Sequence, residues 1–151
     1  MSAYRKILVG VDGSAASNKG LREALRLAKA ERARLVILHV MDEYPAFAMM
    51  DAAMSGAPGQ DLVPVLRRGA KRVLAKAKKA ADAARVPAST VLREILGGPA
   101  APTIVREARK AGAQLIVLGT HGRRGVRRIV MGSDAEQVVR NASVPVLLVR
   151  A

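Results

Sequence analysis

The apolar runs of this chain are continuous rather than alternating, and that limits the folds open to it. Ile7-Leu8-Val9, Leu35 to Leu38, Leu115 to Leu118 and Val146 to Val149 each put apolar side chains on successive residues. A strand wet on one face alternates; a strand covered on both faces, as in a parallel sheet, does not. The pattern predicts strands over Tyr4–Val11, Arg34–Met41, Ser89–Leu96, Gln114–Leu118 and Val144–Val149. Helical patterns fall between them: Ala15–Ala33, Asp61–Arg85, the stretch after Gly97-Gly98-Pro99 to about Ala111, and Asp134–Asn141. Strand and helix alternate, so the expected class is α/β, with right-handed crossovers and helices on both faces of an open parallel sheet. The 151 residues suit one domain spanning 1–151. Pro45, Gly56, Pro58 and Gly59 mark Asp42–Gly59 as a loop, although Met49, Met50 and Met54 suggest that part of it packs down.

Two turns stand out at strand ends. Asp12-Gly13-Ser14 follows the first strand, and Gly119-Thr120-His121-Gly122 follows the fourth. In an open α/β sheet a ligand sits beyond the carboxyl ends of the strands, where the strand order reverses. Two doubly wound orders are plausible. If both turns contact one ligand, strands one and four are neighbours and the order is 3-2-1-4-5. The stretch Gly119 to Ser133 then reads as strand, glycine-rich loop and helix. Glycine lets a backbone approach a ligand closely, and a helix N-terminus offers unpaired N–H groups to a phosphate. Ser133 and Glu136 have the spacing of a capping box, which predicts the helix start there.

Gly119-x2-Gly122-x9-Gly132-Ser133 also resembles the ATP-binding signature of the universal stress protein family, and the likeness extends over the whole chain. The resemblance implies the same 3-2-1-4-5 sheet. It implies that Gly119, Gly122, Gly132 and Ser133 contact phosphate and ribose, and that Asp12 lies near the adenosine. Val40 would give adenine an apolar edge, with Gly10 and Val11 beside it. His121 either donates to a phosphate or holds the loop, the latter preferred. Arg123, with Arg124, Arg127 and Arg128, reaches the phosphates or forms an exposed charged loop. Asp134 departs from the family, which more usually has a small or apolar residue there. A carboxylate so placed repels phosphate unless Mg²⁺ or an arginine intervenes, or simply occupies a helix's first turn. The implied ligand is ATP, with or without Mg²⁺, or else ADP or AMP. The resemblance also implies a homodimer through the C-terminal strand.

The formal charge is +14, with almost no aromatic residues. Such a balance favours polyanions. Arg67, Arg68, Lys71, Arg72, Lys76, Lys78 and Lys79 crowd the helix over Asp61–Arg85. That face is read as solvated rather than nucleic-acid-binding, since stacking aromatics are lacking. With no cysteine there is no thiolate nucleophile or thiolate metal site. No apolar run is long enough to span a bilayer, and the opening residues lack a signal peptide's apolar core, so a cytoplasmic location is expected. His39, within an apolar strand, is read as a hydrogen-bonded core residue. There is no G-x-x-x-x-G-K-[ST], no G-x-G-x-x-G after a strand and no nucleophile elbow. Binding parts are present more clearly than reaction parts. The expectation is a nucleotide-binding regulatory or stress-response protein with no assigned catalytic or metal-ligating residue. The alternatives are slow ATP hydrolysis or adenylyl transfer at the same site, or nucleic-acid binding by the basic helix.

Overall fold

Ile7, Val9, Leu35 and Ile37 meet one group of helices, while Leu8, Val36, Leu38 and Ile116 meet another. Successive residues of one strand thus feed two separate cores. This is why the apolar runs are continuous, and burying each such side chain contributes about 1.5–3 kcal/mol. The computed structural model describes residues 1–53, 62–120 and 131–151. In chain order these form β1 (Lys6–Gly10), α1 (Ala15–Glu31), β2 (Arg34–Asp42), α2 (Tyr44–Ala53) and α3 (Val63–Ala83). There follow β3 (Ala88–Ile95), α4 (Ala101–Ala111), β4 (Leu115–Gly119), α5 (Ser133–Asn141) and β5 (Val146–Val149).

The sheet is wholly parallel, in the order β3-β2-β1-β4-β5. Leu21 and Leu25 of α1 and Leu74 of α3 cover one face. Ile104 and Val105 of α4 and Val138 of α5 cover the other. The expected architecture and strand order are therefore what the chain adopts. The fifth strand is shorter than the apolar run suggests. Pro145 has no N–H for the ladder, and only its carbonyl joins in, accepting from the Ile116 N–H at 3.0 Å.

One expectation is corrected. Residues 44–53, read as part of a loop, form α2. Pro45 is the second residue of that helix, where a missing N–H costs nothing. Asp42 Oδ1 accepts from the Tyr44 N–H at 2.9 Å and steadies the helix start. The same oxygen accepts from the Gly97 N–H at 2.9 Å, so one carboxylate holds both α2 and the turn leading to α4.

Two tertiary features fix the helices around the strand ends. A Cβ on Gly119 would lie 2.6 Å from the carbonyl carbon of Ala16 and 2.8 Å from the Ser17 nitrogen. The first turn of α1 therefore lies directly on the end of β4, in space that any side chain at Gly119 would fill. On the other face Arg93 of β3 grips Glu107 of α4 through Nε–Oε1 and Nη2–Oε2, at 2.7 and 3.2 Å. Glu107 is only 6% exposed, and the guanidinium holds its carboxyl below the usual carboxylate range.

Candidate functional site

β1 and β4 are neighbours at the centre of the sheet, and the chain winds outward from them in opposite directions. Their carboxyl ends flank the point where the order reverses, the usual seat of a ligand in such sheets. At the end of β1 the backbone turns through Asp12, Gly13 and Ser14 into α1. Gly13 has φ +82°, the left-handed region that favours glycine. The Asp12 carboxylate accepts from the Ser14 N–H at 2.8 Å. Ser14 caps α1, its hydroxyl accepting from the Ser17 N–H at 3.2 Å. The Ser17 hydroxyl in turn accepts from the Asp12 N–H at 2.9 Å. These bonds set the turn's shape. They also bring out Ser14 and Ser17 as structural partners of Asp12.

Thr120, just past β4, is 8% exposed. Its N–H donates to the Val149 carbonyl at 2.9 Å, and its carbonyl accepts from the Gly132 N–H at 2.7 Å. The chain therefore leaves the sheet at Thr120 and returns to the same point at Gly132. The base of the glycine-rich stretch is clamped beside the Asp12 turn. Thr120 carries this clamp, and sequence reasoning did not single it out. His121, Gly122 and Arg123 lie outside the described residues.

α5 begins at Ser133, as expected, but Ser133 does not cap it. The N-cap is Gly132, at φ −59° and ψ 151°, which has no side chain to offer the helix's first amides. The capping-box reading is thus displaced by one residue. Ser133 is the first helical residue and is exposed. A helix start without a side-chain cap leaves its first amides to solvent or to an anion. Gly132's dihedrals suit any residue, so its role is not one of backbone strain.

Asp134 has a partner that the sequence did not reveal. Its Oδ1 accepts from the Ala101 N–H at 3.1 Å. Ala101 is the first residue of α4, whose own N-cap, Ala100, offers no side-chain bond. The carboxylate of one helix therefore caps its neighbour, and stabilises it through the positive end of that helix as well.

Gly10 and Val11 lie at the end of β1, between β2 and β4. A Cβ on Gly10 would meet Leu118 Cδ2 at 2.6 Å. The Val11 N–H donates to the Leu38 carbonyl at 2.8 Å. The Val11 carbonyl accepts from His39 Nδ1 at 2.6 Å, which fixes the proton on that nitrogen. His39 is 8% exposed and so is the hydrogen-bonded core residue expected of it. Val40 is half-buried and packs against the core shared with α4 and α5. The described geometry therefore brings Gly10, Val11, Asp12, Gly119, Gly132 and Ser133 to one end of β1 and β4. Val40 stands one strand away on β2, and Asp134 faces α4.

Among the described residues, what this end of the sheet offers is chiefly backbone: a fixed turn, a clamped loop base and a helix start. Such a surface suits an anion held by hydrogen bonds. Among the described residues no group of three or more His, Cys, Asp or Glu is placed to hold a metal ion. Among them, too, no helix is long and apolar enough to cross a membrane.

Comparison with known proteins adds a family to this geometry. Residues 3–150 match the model of the universal stress protein family. A universal stress protein of Methanocaldococcus jannaschii is 37% identical over 147 residues, covering 97% of this chain and 82% of that protein. A solved structure from the same family, from Burkholderia pseudomallei, is 34% identical with a TM-score of 0.75, covering 100% of this chain and 99% of the other. A universal stress protein solved in complex with cAMP is 27% identical with a TM-score of 0.64, covering 99% and 98% of the two chains.

Proposed function

The chain belongs to the universal stress protein family, and from that premise we propose that it binds an adenine nucleotide, ATP foremost, at the joined ends of β1 and β4. The reading is that of a regulatory, stress-response protein. The observation that carries it is the start of α5. Gly132 is tied to Thr120 at 2.7 Å, and as the N-cap it brings no side chain of its own to the helix's first amides. That arrangement fits a phosphate group. The cAMP complex of a 27% identical relative supports the same ligand class.

In this reading the amides at Ser133 and the residues after it, with the Ser133 hydroxyl, hold phosphate. By resemblance to the family, Gly122 belongs to the phosphate contacts, with His121 and Arg123 beside it in sequence. The Asp12 turn, with Gly10 and Val11, borders the nucleoside, and Val40 supplies the apolar edge for adenine. Asp134 is turned toward α4, where its carboxylate accepts from the Ala101 N–H. Any Mg²⁺ arrives with the triphosphate. The proposal includes a homodimer through the exposed edge of β5, supported by half-buried Val146 to Val149 on an edge strand.

Calorimetric titration of ATP, ADP, AMP and cAMP, with and without Mg²⁺, tests the proposal when run on wild type and Gly132→Val. Valine is compatible with the observed dihedrals, so the fold should survive with about 1 kcal/mol lost at the cap. Its branched side chain takes the space phosphate needs, and the loss of several amide contacts should weaken ATP binding by about a hundredfold. Wild-type affinity in a folded Gly132→Val protein would remove the phosphate site from this place.

A further inference from the structure

The outward side of α3 is basic. Ala70, Leu74, Ala77 and Ala81 are buried and give the helix its inner side. At 3.6 residues per turn Arg68, Arg72 and Lys79 lie opposite them, with Lys76 alongside, in a stripe about 16 Å long. All four are exposed and make no ion pair among the described residues. The one acid of α3, Asp82, lies on its flank and is paired with Lys78.

At the start of this stripe the surface turns apolar. Tyr44, Phe47 and Met49 of α2, Val65 of α3 and Leu96 just after β3 are between 43% and 65% exposed. Bonds at the carboxyl end of β3 gather them. Arg67, next but one to Val65, donates to Glu94 Oε1 and Oε2 at 2.6 and 3.1 Å, and Glu94 stands next but one to Leu96. Asp42 holds the N–H groups of Tyr44 and Gly97 together. A Cβ on Gly97 would lie 3.7 Å from the Tyr44 side chain. Large apolar side chains left exposed as a group mark a surface that something covers.

We propose that this corner of the molecule docks on an anionic lipid surface. The basic stripe meets the headgroup phosphates, and the apolar residues at its start enter the boundary between headgroups and acyl chains. Charge draws the chain to the surface over about a Debye length, and apolar burial holds it there. The inference rests on this surface alone and is independent of the nucleotide reading. β3 and β5 are opposite edges of the sheet, so the proposed dimer leaves this corner free.

Other occupants fit less well. A second copy, at net charge +14, would bring like charge against like. A nucleic acid would meet the arginines, but Met49, Val65 and Leu96 offer its bases no stacking face. A protein of fixed shape binds best where surfaces interlock. Here the apolar side chains stand on separate elements beside a convex helix, which suits a fluid surface that moulds itself to them.

The test uses the full chain and vesicles of phosphatidylcholine, alone or with about 30% phosphatidylglycerol as the anionic lipid. Co-sedimentation should show binding to the anionic vesicles alone. Raising NaCl from about 50 to about 500 mM should weaken it by at least about tenfold. The triple variant Arg68→Glu/Arg72→Glu/Lys79→Glu, checked for folding by circular dichroism, should bind at least about tenfold more weakly. The chain has no tryptophan, so Phe47→Trp supplies a single reporter. Its emission should shift to the blue on anionic vesicles and be quenched when their acyl chains carry bromine. Equal binding to neutral vesicles would overturn the proposal. So would undiminished binding by the folded triple variant, or Phe47→Trp emission that brominated lipid leaves unquenched. Absence of vesicle binding at low salt would also overturn it, and a single-stranded DNA oligomer bound by wild type but not by the triple variant would then assign the face to nucleic acid.

Discussion

Replacing Gly119 by alanine separates two reasons for a glycine at the end of β4. If glycine serves only the ligand, Gly119→Ala loses affinity and keeps its stability. The structure argues otherwise. An alanine Cβ would sit 2.6 Å from the Ala16 carbonyl carbon, 2.8 Å from its oxygen and 2.8 Å from the Ser17 nitrogen. Ordinary carbon contacts lie at about 3.5–4.0 Å, so α1 must retreat by about 1 Å. Overpacking of this kind costs about 1–3 kcal/mol. The opposing atoms are helix backbone rather than a side chain that can rotate, which places the cost near 3 kcal/mol. For a domain of this size that is about 6–12 °C in Tm. Gly10→Ala is the matched control, since its Cβ would meet Leu118 Cδ2 at 2.6 Å, the far end of a side chain. It should lose only about 1 kcal/mol. Thermal unfolding by circular dichroism reads both. The packing argument fails if Gly119→Ala melts within about 2 °C of wild type, or if Gly10→Ala is the more damaging change.

Asp134→Ala should cost about 1 kcal/mol, because it removes the acceptor for the Ala101 N–H, and Asp134→Asn should recover most of it; denaturant unfolding measures both, and nucleotide affinity that rises in Asp134→Ala would mean that the carboxylate faces phosphate after all. Arg93 lowers the Glu107 pKa, so that pair's contribution is complete above the unfolded carboxyl value of about 4.3 and is lost as pH falls through the lower folded value. Glu107→Gln should therefore melt below wild type at neutral pH, with the gap closing below about pH 4; a gap that persists unchanged to pH 2 contradicts this.

What the sequence revealed of the fold follows from what is local in it. Apolar runs buried on two faces are continuous, so β1, β2, β4 and β5 could be located from them, with ends that differ from the observed ones by a residue or two. α2 was missed because Pro45 and the glycines beyond it read as breakers, while the two features that permit a helix there are positional. Pro45 falls in its first turn, and Asp42 holds the Tyr44 N–H. At the site, the Asp12 turn was legible because Ser14 and Ser17, which bond to Asp12, lie within five residues of it. The uses of Gly119 and Asp134 were not. One is decided by α1 and the other by α4, each distant in sequence, and no local pattern encodes either contact. The Ser133 capping box shows the same limit from the other side. The spacing was present, yet the helix takes Gly132 as its cap, because the chain re-enters the fold at Gly132 through its bond to Thr120.

The central claim is that an adenine nucleotide sits where β1 and β4 end, and amide chemical shifts during a titration with ATP test it most directly. The expected result is saturable change at Asp12, Gly13, Ser14, Gly119, Thr120, Gly132 and Ser133, with Lys6 and Gln114 at the other end of the same two strands unmoved. Saturable change confined to any other part of the chain, or none at millimolar ATP, would contradict the account.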